Sequence, residues 1–472
     1  MAEVLVLGAG MNGLTTAMLL AQDGHEVTVV ERDPSGPAGG AHEAWDSWER
    51  RGVNQFRMAH FMVPRWATEI GAVLPAVLDE LRGLGGLDLD LVGMLPEALT
   101  RGPAAGDERL RTVTGRRPVL EMALAAVADR TPGITVRRGV TVTGLRTGPS
   151  PSGRPPHVTG VLTEGGGAVP ADLVIDTAGR RSTVPAWLEA VGSRRPYEER
   201  EDCGFVYYQR TFRSGDGTIP PAYAALLQHY SSLSVLTLPA DNGTWAVVLV
   251  ASGRDRPLRA LRDVDTWTRA LGRFPLAAHW GDGEALHPGV VTMASIEDRL
   301  RRYVVDGEPV VTGLVAVGDA WACTNPSLGR GTSIGLLHAL ALRDVLRDVG
   351  VEQPAKLVRR FDEVTGAELE PIYRATLAFD RHRLAELESD AAGQRYSPDD
   401  PTWSITKAMM AAAPSDPAVL RAFLAISALQ ATPEEILAVP GMYDRVVEGG
   451  ADAPQYVLPG PDRAALLAAV QR

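Results

Sequence analysis

The chain is poor in cysteine and has few runs of apolar residues. Cys203 and Cys323 are the only cysteines in 472 residues, too few for a disulfide framework, which fits a reducing cytoplasm. No apolar run reaches the length of a membrane span, and no signal peptide is expected, because a strand-like run begins within a few residues of Met1. The net charge of −11 argues against nucleic acid and anionic membranes as partners.

What the chain does contain begins with a strand, a glycine-rich turn and a helix. The apolar run 4–7 predicts a buried parallel strand, and Gly8, Gly10 and Gly13 follow it with the G-x-G-x-x-G spacing. The first glycine permits a tight turn, the second lets a pyrophosphate approach the backbone, and the third lets the helix pack closely. The helix predicted over 12–23 presents its N-terminus to the phosphates.

An acidic residue ends the second strand. Glu31 follows the apolar run 27–30, where a carboxylate accepts hydrogen bonds from ribose hydroxyls and repels a 2′-phosphate. The motif therefore predicts FAD or NAD rather than NADP, and by itself it leaves FAD and NAD open.

Two later segments resemble the remaining fingerprints of flavin-dependent aromatic hydroxylases. Residues 172–180 (DLVIDTAGR) are similar to the family's "DG" fingerprint, and residues 318–333 (GDAWACTNPSLGRGTS) are similar to its "GD" fingerprint. The resemblance implies FAD. Asp319 falls at the carboxyl end of the strand predicted over 314–317, where a carboxylate can hold ribityl hydroxyls. The helix predicted over 334–346 would direct its N-terminus at the flavin ring.

A narrower likeness lies at residues 50–60 (RRGVNQFRMAH). This segment resembles the Arg-x-Gly-Val-Pro-Gln segment of polyether-pathway flavin epoxidases, with Asn54 in place of the proline, and Arg117 is similar to the family's flavin-contacting arginine. The motifs and the resemblance together predict these FAD-binding residues: Gly8, Gly10, Met11, Asn12, Gly13, Glu31, Arg32, Arg50, Arg51, Gln55, Arg117, Val140, Asp176, Gly179, Gly318, Asp319, Pro326, Gly329, Gly331, Thr332 and Ser333.

The order of patterns predicts an α/β fold with an interleaved Rossmann-like FAD-binding domain, a mostly β substrate domain and a C-terminal helical region. We assign residues 1–90, 110–190 and 300–355 to the FAD domain, 191–299 to the β-rich domain and 356–472 to the helical region. Strands are predicted at 204–212, 233–238 and 244–250. Breaker-rich residues 148–156 predict a surface loop, and Thr432 with Glu435 predicts a capped helix start.

The predicted reaction is monooxygenation, in which a flavin hydroperoxide carries the oxygen to a fairly apolar small molecule by hydroxylation or epoxidation. Such chemistry needs few side chains. His60, Tyr207 and Tyr230 are the catalytic candidates, although ordinary packing is the competing interpretation for each, as it is for His229 and Tyr208. No metal site is predicted.

Alternatives remain at this stage. An FAD-dependent dehydrogenase of the geranylgeranyl-reductase type shares the fold, and a non-catalytic flavoprotein acting as a sensor or carrier-protein partner is a second alternative. Halogenation is disfavoured. Flavin-dependent tryptophan halogenases, which share the fold that the resemblance implies, need a lysine in the substrate domain, whereas Lys356 and Lys407 both follow the GD segment. There is no second G-x-G-x-x-G, so electrons come either from transiently bound NAD(P)H or from a separate reductase.

Two C-terminal segments carry predictions of their own. Residues 380–383 (DRHR) predict a solvated or salt-bridged surface. The apolar helical run 419–426 predicts packing against the FAD domain, with a lid over an apolar substrate or loose membrane association as the other interpretations.

Overall fold

The centre of the protein is a five-stranded parallel sheet, here called the nucleotide sheet. The computed structural model describes residues 1–37, 39–149, 154–450 and 453–471. Neighbouring strands of the nucleotide sheet are parallel. In spatial order they are Leu314–Ala316, Leu173–Asp176, Glu3–Leu7, Glu26–Glu31 and Ile134–Arg138.

Both faces of the nucleotide sheet are covered, which explains why its central strands are continuous apolar runs. Val4 and Val6 pack against the helices Met11–Gln22, Arg117–Asp129 and Gly331–Val349. Leu5 and Leu7 face the opposite side. There they meet an antiparallel sheet of the strands Val142–Thr147, Val158–Thr163 and Ala168–Pro170.

The second large sheet has six strands and is here called the antiparallel sheet, to be distinguished from the three-stranded sheet just described. Its strands are Leu227–His229, Ser234–Pro239, Thr244–Ser252, Phe205–Arg213 and Glu284–Ala285, with Val291–Met293 also paired to Phe205–Arg213. Consecutive side chains alternate between its faces. Tyr208 belongs to a cluster with Trp245 and Trp267 on one face, whereas Tyr207 lies with Leu236 and Val248 on the other.

Smaller elements connect the two sheets. A three-stranded sheet contains Tyr197–Asp202, Glu297–Arg302 and Ala322–Cys323, and two strand pairs are Leu87–Asp90 with Arg111–Thr114 and Val304–Val305 with Glu308–Pro309. The connecting helices are Ala41–Ser47, Pro64–Val73, Pro75–Gly83, Glu97–Thr100, Val184–Ala190 and Val264–Leu271.

The C-terminal part is helical. Its helices are Pro354–Val364, Glu370–Ala391, Pro401–Ala412, Pro417–Ser427, Pro433–Leu437, Met442–Gly450 and Arg463–Val470. The first two are joined by a π-helical turn at Thr365–Leu369. Several begin with proline at the first turn, where its missing N–H costs nothing. The predicted start at Thr432 is confirmed: its hydroxyl accepts from the Glu435 N–H, and the Glu435 carboxylate accepts from the Thr432 N–H.

The predicted α/β class is confirmed, while the domain boundaries stay a prediction. Within the predicted loop 148–156, residues 150–153 lie outside the described part of the chain. The predicted solvated or salt-bridged surface at 380–383 is found for Arg381, which is exposed and pairs with Glu201. It is wrong for Asp380 and Arg383, which are buried, although Arg383 is paired with Glu386. The run 419–426 was expected to pack on the FAD domain, and Val419 and Leu424 belong to a cluster that contains both Leu89 and Leu110 of the predicted FAD domain and Tyr208 of the antiparallel sheet.

Candidate active site

A single large cavity of about 1150 Å³ opens where the nucleotide sheet, the antiparallel sheet and the C-terminal helices meet. It has two chemically different parts. The nucleotide half is lined by the loops that follow the parallel strands and carries the charged lining residues. The apolar half lies between the antiparallel sheet and the C-terminal helices, and is lined by residues such as Leu226, Leu236, Val248, Met409, Phe423 and Leu424.

The first glycine turn forms one edge of the nucleotide half. Gly8 has φ +103°, a conformation that favours glycine, and a Cβ at Gly13 would lie 1.9 Å from the Gly8 carbonyl oxygen. A Cβ at Gly10 would meet nothing within 4 Å, so the backbone there is open to a ligand. The turn leads into the helix that begins at Met11. This geometry fits a pyrophosphate above a helix N-terminus.

Arg50 lies at the centre of a buried cluster of carboxylates next to this turn. Its guanidinium donates to Glu31 at 2.9 Å, to Asp33 at 3.1 Å and to Glu121. Glu31 also accepts from the Ala9 N–H at 2.9 Å. The predicted ribose-binding carboxylate is therefore fixed by protein groups at the cavity wall. Burial opposes the charge on Arg50, but the carboxylates raise its pKa overall.

His60 is held in one tautomer by two neighbours. Its Nε2 lies 3.1 Å from Nη1 of Arg117, which can only donate, so Nε2 is an acceptor and the ring proton is on Nδ1. That proton is donated to the Met58 carbonyl at 2.9 Å. Burial and then the Arg117 charge lower the pKa of His60 to about 3. This neutral histidine orients Arg117, which also pairs with Glu121 at 2.7 Å.

The GD segment places a carboxylate in the cavity. Asp319 lines the nucleotide half, and its side chain accepts no hydrogen bond from the described part of the chain. Burial raises the pKa of Asp319, while Arg117 and Arg180 act in the opposite direction. The preceding Gly318 has φ +66°, and a Cβ there would lie 2.1 Å from the Asn12 side-chain nitrogen. Gly318 thus makes room for a residue of the first motif.

Beyond Asp319 the chain turns into the helix Gly331–Val349. Gly329 has φ +66° and ends the turn 326–328. Near the helix start, buried side-chain atoms lack a hydrogen-bond partner in the described part of the chain: Nε of Arg330, Oγ1 of Thr332 and Oγ of Ser333. Buried polar groups are normally satisfied, so Arg330 and Thr332, which line the cavity, indicate a polar ligand there.

Most of the residues predicted to bind FAD line this cavity: Gly8, Gly10, Met11, Asn12, Glu31, Arg32, Arg50, Arg51, Gln55, Arg117, Val140, Gly179, Asp319, Pro326, Gly329, Gly331 and Thr332. Gly13, Gly318 and Ser333 are not among the residues that line the cavity in the described part of the chain. Asp176 is not among them either, and its carboxylate accepts from the Ala178 N–H and the Ser182 hydroxyl. A direct contact of these four residues with FAD stays a prediction.

The two tyrosines predicted to be catalytic have different positions. Tyr207 lines the cavity, and its hydroxyl donates to Asn325. Tyr230 is not among the cavity's lining residues in the described part of the chain. It packs on Phe274 with its hydroxyl donating to Gln228 at 2.7 Å, so its prediction as a catalytic residue is corrected. Burial raises the pKa of both tyrosines, which keeps them protonated.

Sequence reasoning missed a buried carboxyl near the cavity floor. Asp380 accepts from the Ser327 hydroxyl at 3.2 Å, and the Asn325 amide donates to Ser327 at 2.9 Å. Burial, with help from Asp298, raises the pKa of Asp380 to about 8. The charge pattern of 380–383 gave no sign of this. In contrast, Glu121 was detectable, because it stands four residues after Arg117 on one helix.

Comparison with known proteins agrees with this geometry. A family model of FAD-dependent oxidoreductases matches residues 3–72. Protein Rv3254 of Mycobacterium tuberculosis (strain ATCC 25618 / H37Rv) is 29% identical over 398 residues, which cover 79% of this chain and 78% of the relative.

Two solved structures have the same fold. p-Nitrophenol 4-monooxygenase PnpA from Pseudomonas putida DLL-E4 matches with a TM-score of 0.59 and 16% identity, over 90% of this chain and 97% of that one. PqsL, a probable FAD-dependent monooxygenase from Pseudomonas aeruginosa, matches with a TM-score of 0.58 and 18% identity, over 82% of this chain and 96% of that one.

Residues 3–72 thus match FAD-dependent oxidoreductases and the chain has the fold of FAD-dependent monooxygenases, in agreement with the predicted resemblance to the aromatic hydroxylases. The narrower likeness to polyether-pathway epoxidases stays a prediction. The open backbone at Gly10, the unpartnered carboxylate of Asp319 and the unpartnered atoms near Thr332 all fit an FAD bound along the nucleotide half.

Within the described residues, no helix is long and apolar enough to cross a membrane. The same part of the chain has no group of three or more His, Cys, Asp or Glu side chains that could hold a metal ion.

Proposed function

We propose that the protein is an FAD-dependent monooxygenase that hydroxylates or epoxidises a fairly apolar small molecule, in the cytoplasm and in specialised metabolism. The observation that supports this most directly is the continuity of the cavity. One space joins the nucleotide half, built for FAD, to a half lined by uncharged side chains. A substrate in the apolar half would therefore be next to the cofactor.

Reduced FAD supplies the activation of O₂, and the side chains have simpler tasks. The C-terminal helices cover the apolar half with Met409, Phe423 and Leu424, which keeps water away from the substrate. Arg117, held by His60 and Glu121, presents a fixed positive charge at the wall of the nucleotide half.

The protein offers little general acid–base chemistry at the cavity. His60 has its pKa lowered to about 3 and both ring nitrogens occupied, so it is a positioning residue rather than a base. Burial raises the pKa of Tyr207, and its hydroxyl donates a hydrogen bond to the Asn325 side-chain oxygen. This pattern favours a reaction whose oxygen chemistry resides in the cofactor over one that needs a side-chain base.

The names of two similar structures agree with a small organic ligand. One acts on p-nitrophenol, as its name states, and PqsL has been solved with 2-aminobenzoylacetate bound. Both are small organic molecules. The proposal does not transfer either substrate to this chain. It takes the electrons from NAD(P)H bound transiently or from a separate flavin reductase, because the sequence has one G-x-G-x-x-G only.

The test is an isotope experiment on the purified holoprotein. FAD would be reduced anaerobically with NADH, NADPH or a flavin reductase, mixed with a panel of apolar aromatic and alkene compounds, and then exposed to ¹⁸O₂. We expect one labelled oxygen atom in a product. Anaerobic turnover with an artificial electron acceptor and no labelled product would support the dehydrogenase alternative. Flavin that binds but supports neither reaction would support the non-catalytic alternative.

A further inference from the structure

The apolar half is lined by a histidine that has no role in the reaction proposed above. His229 ends the edge strand Leu227–His229 of the antiparallel sheet and lines the cavity. Its ring lies 5.7 Å from the ring of Phe379, another lining residue. The preceding Gln228 points to the opposite face, where it accepts from Tyr230. The strand alternation thus directs the imidazole of His229 toward the cavity side.

A buried hydrogen-bond chain decides which nitrogen of His229 carries the proton. Nε of Arg383 donates to the Ser234 hydroxyl at 3.1 Å, and that hydroxyl lies 2.9 Å from Nδ1 of His229. The Ser234 hydroxyl accepts from Arg383, and Nδ1 of His229 is the one acceptor that the described part of the chain offers to the hydroxyl's own hydrogen, so the arrangement that satisfies both groups has the hydroxyl donating to Nδ1. Nδ1 is therefore the acceptor, and the ring proton is on Nε2.

Several buried contacts fix the position of Arg383 and therefore the direction of the hydrogen bonds from Arg383 to Ser234 and from Ser234 to His229. The residue is 2% exposed and donates to the carbonyls of Tyr230 at 2.6 Å and Leu233 at 3.0 Å. It also pairs with Glu386, which is shared with Lys407. Burial first, and then the charges of Arg383 and Lys407, lower the pKa of His229 well below its usual value. The imidazole is neutral and keeps a single N–H.

Nε2 of His229 has no hydrogen-bond partner in the described part of the chain, and it is not among the fully buried unpartnered atoms, so it keeps some accessible surface at the cavity. Two other polar side chains that line the cavity are already hydrogen-bonded within the protein. The Gln209 amide accepts from the Ala59 N–H and donates to Arg57 and Thr211. The Thr406 hydroxyl donates to the carbonyl of Thr402. A neutral donor in an apolar chamber needs an acceptor, because an unpaired polar group there is costly.

We propose that Nε2–H of His229 donates a hydrogen bond to a carbonyl or ether oxygen of the substrate, and that Ser234 and Arg383 are the positioning residues that set this donor. The inference rests on the proposed function and narrows it. The substrate class becomes uncharged, largely apolar molecules that carry an acceptor oxygen at the end bound near the antiparallel sheet's edge strand.

The test uses two probes of the same shape, 2-acetylnaphthalene and 2-isopropenylnaphthalene, which differ in a carbonyl oxygen against a methylene group. Their dissociation constants would be measured by calorimetry on the oxidised, FAD-loaded protein, so no turnover is needed. One neutral hydrogen bond predicts that the ketone binds about fivefold more tightly. H229F should abolish the preference, whereas H229Q, whose amide can accept from Ser234 and still donate, should keep most of it. S234A should reduce it partly.

Equal binding of the two probes, or a ketone preference that survives H229F, would overturn the proposal. Failure of both probes to bind to folded, FAD-loaded protein would also overturn it, since the apolar half would not be a ligand site. Melting temperature and flavin content of each variant separate a binding defect from misfolding. A ketone preference without ¹⁸O incorporation would keep this site and reject the monooxygenase proposal, so the two failures are distinguishable.

Discussion

The two halves of the cavity are built by different means. The nucleotide half is made from short continuous segments at the ends of parallel strands, and it acts through backbone shape and charge, as at Gly8, Arg50 and Asp319. The apolar half is assembled from the antiparallel sheet and several C-terminal helices. Its charges, such as those of Arg383 and Glu386, lie behind the wall. A local motif can specify a cofactor, whereas a substrate pocket depends on which distant segments meet.

The largest effect should come from Arg50, on which the buried charges of the nucleotide half depend. Arg50→Gln leaves Glu31, Asp33 and Glu121 without their shared cation. We expect a loss of about 3–5 kcal/mol in the free energy of unfolding, measured by urea denaturation of the apoprotein. The control is Arg82→Gln, which breaks an exposed pair with Asp88 and should cost less than about 1 kcal/mol. Equal losses would contradict the cluster's role.

Two glycine variants distinguish a residue that the glycine turn needs for its stability from a residue that leaves room for FAD. Gly13→Ala forces a Cβ against the Gly8 carbonyl, which we expect to cost up to about 3 kcal/mol of stability in a urea titration. Gly10→Ala has free space and an ordinary φ of −86°, so the apoprotein should stay stable. Its FAD dissociation constant should rise about tenfold or more, because the methyl group occupies the pyrophosphate's approach. Unchanged FAD affinity would place the pyrophosphate elsewhere.

Asp380 tests whether an uncharged acid is buried behind the cavity wall, next to the lining residue Ser327. A carboxyl whose folded pKa is raised to about 8 binds more protons in the native than in the unfolded state, so stability falls as the pH rises from about 4 to about 8. Asp380→Asn lacks this ionisation. Between pH 6 and pH 8 the wild type should lose about 2 kcal/mol more than the variant, measured by urea unfolding. Parallel pH profiles would show that Asp380 is ionised when folded.

The smallest effects are expected on ligand affinity, and they should show that the two halves of the cavity bind different ligands. Asp319→Asn should weaken FAD about tenfold through loss of a buried carboxylate acceptor, with the affinity for 2-acetylnaphthalene little changed once FAD is saturating. Phe423→Ala should weaken the binding of 2-acetylnaphthalene and leave the affinity for FAD little changed, because it removes apolar contact area in the apolar half. Flavin fluorescence and calorimetry measure the two affinities. If either variant weakened both ligands equally, the division of the cavity would be wrong.

The elements that could be predicted are those whose cause is local. The strand at 3–7, the turn at Gly8 and the helix from Met11 follow from adjacent residues, as does the capped start at Thr432. The placement of Asp319 follows from the rule that ligands bind at the carboxyl ends of parallel strands. Tyr230 could not be assigned, since Tyr207, Tyr208 and Tyr230 all carry the same sequence signal and only sheet packing tells their faces apart.

The sequence alone determined an FAD-binding α/β core and the residues of its phosphate turn, because glycine conformation and strand–turn–helix order act over a few residues. Only the tertiary structure decided that Glu121 joins Glu31 and Asp33 around Arg50, and that Asp380 and Arg383 are buried. It also decided that Ser234 and His229 meet beneath Arg383. These contacts join residues up to 149 positions apart, and burial, which sets their ionisation, depends on the packing of the whole chain.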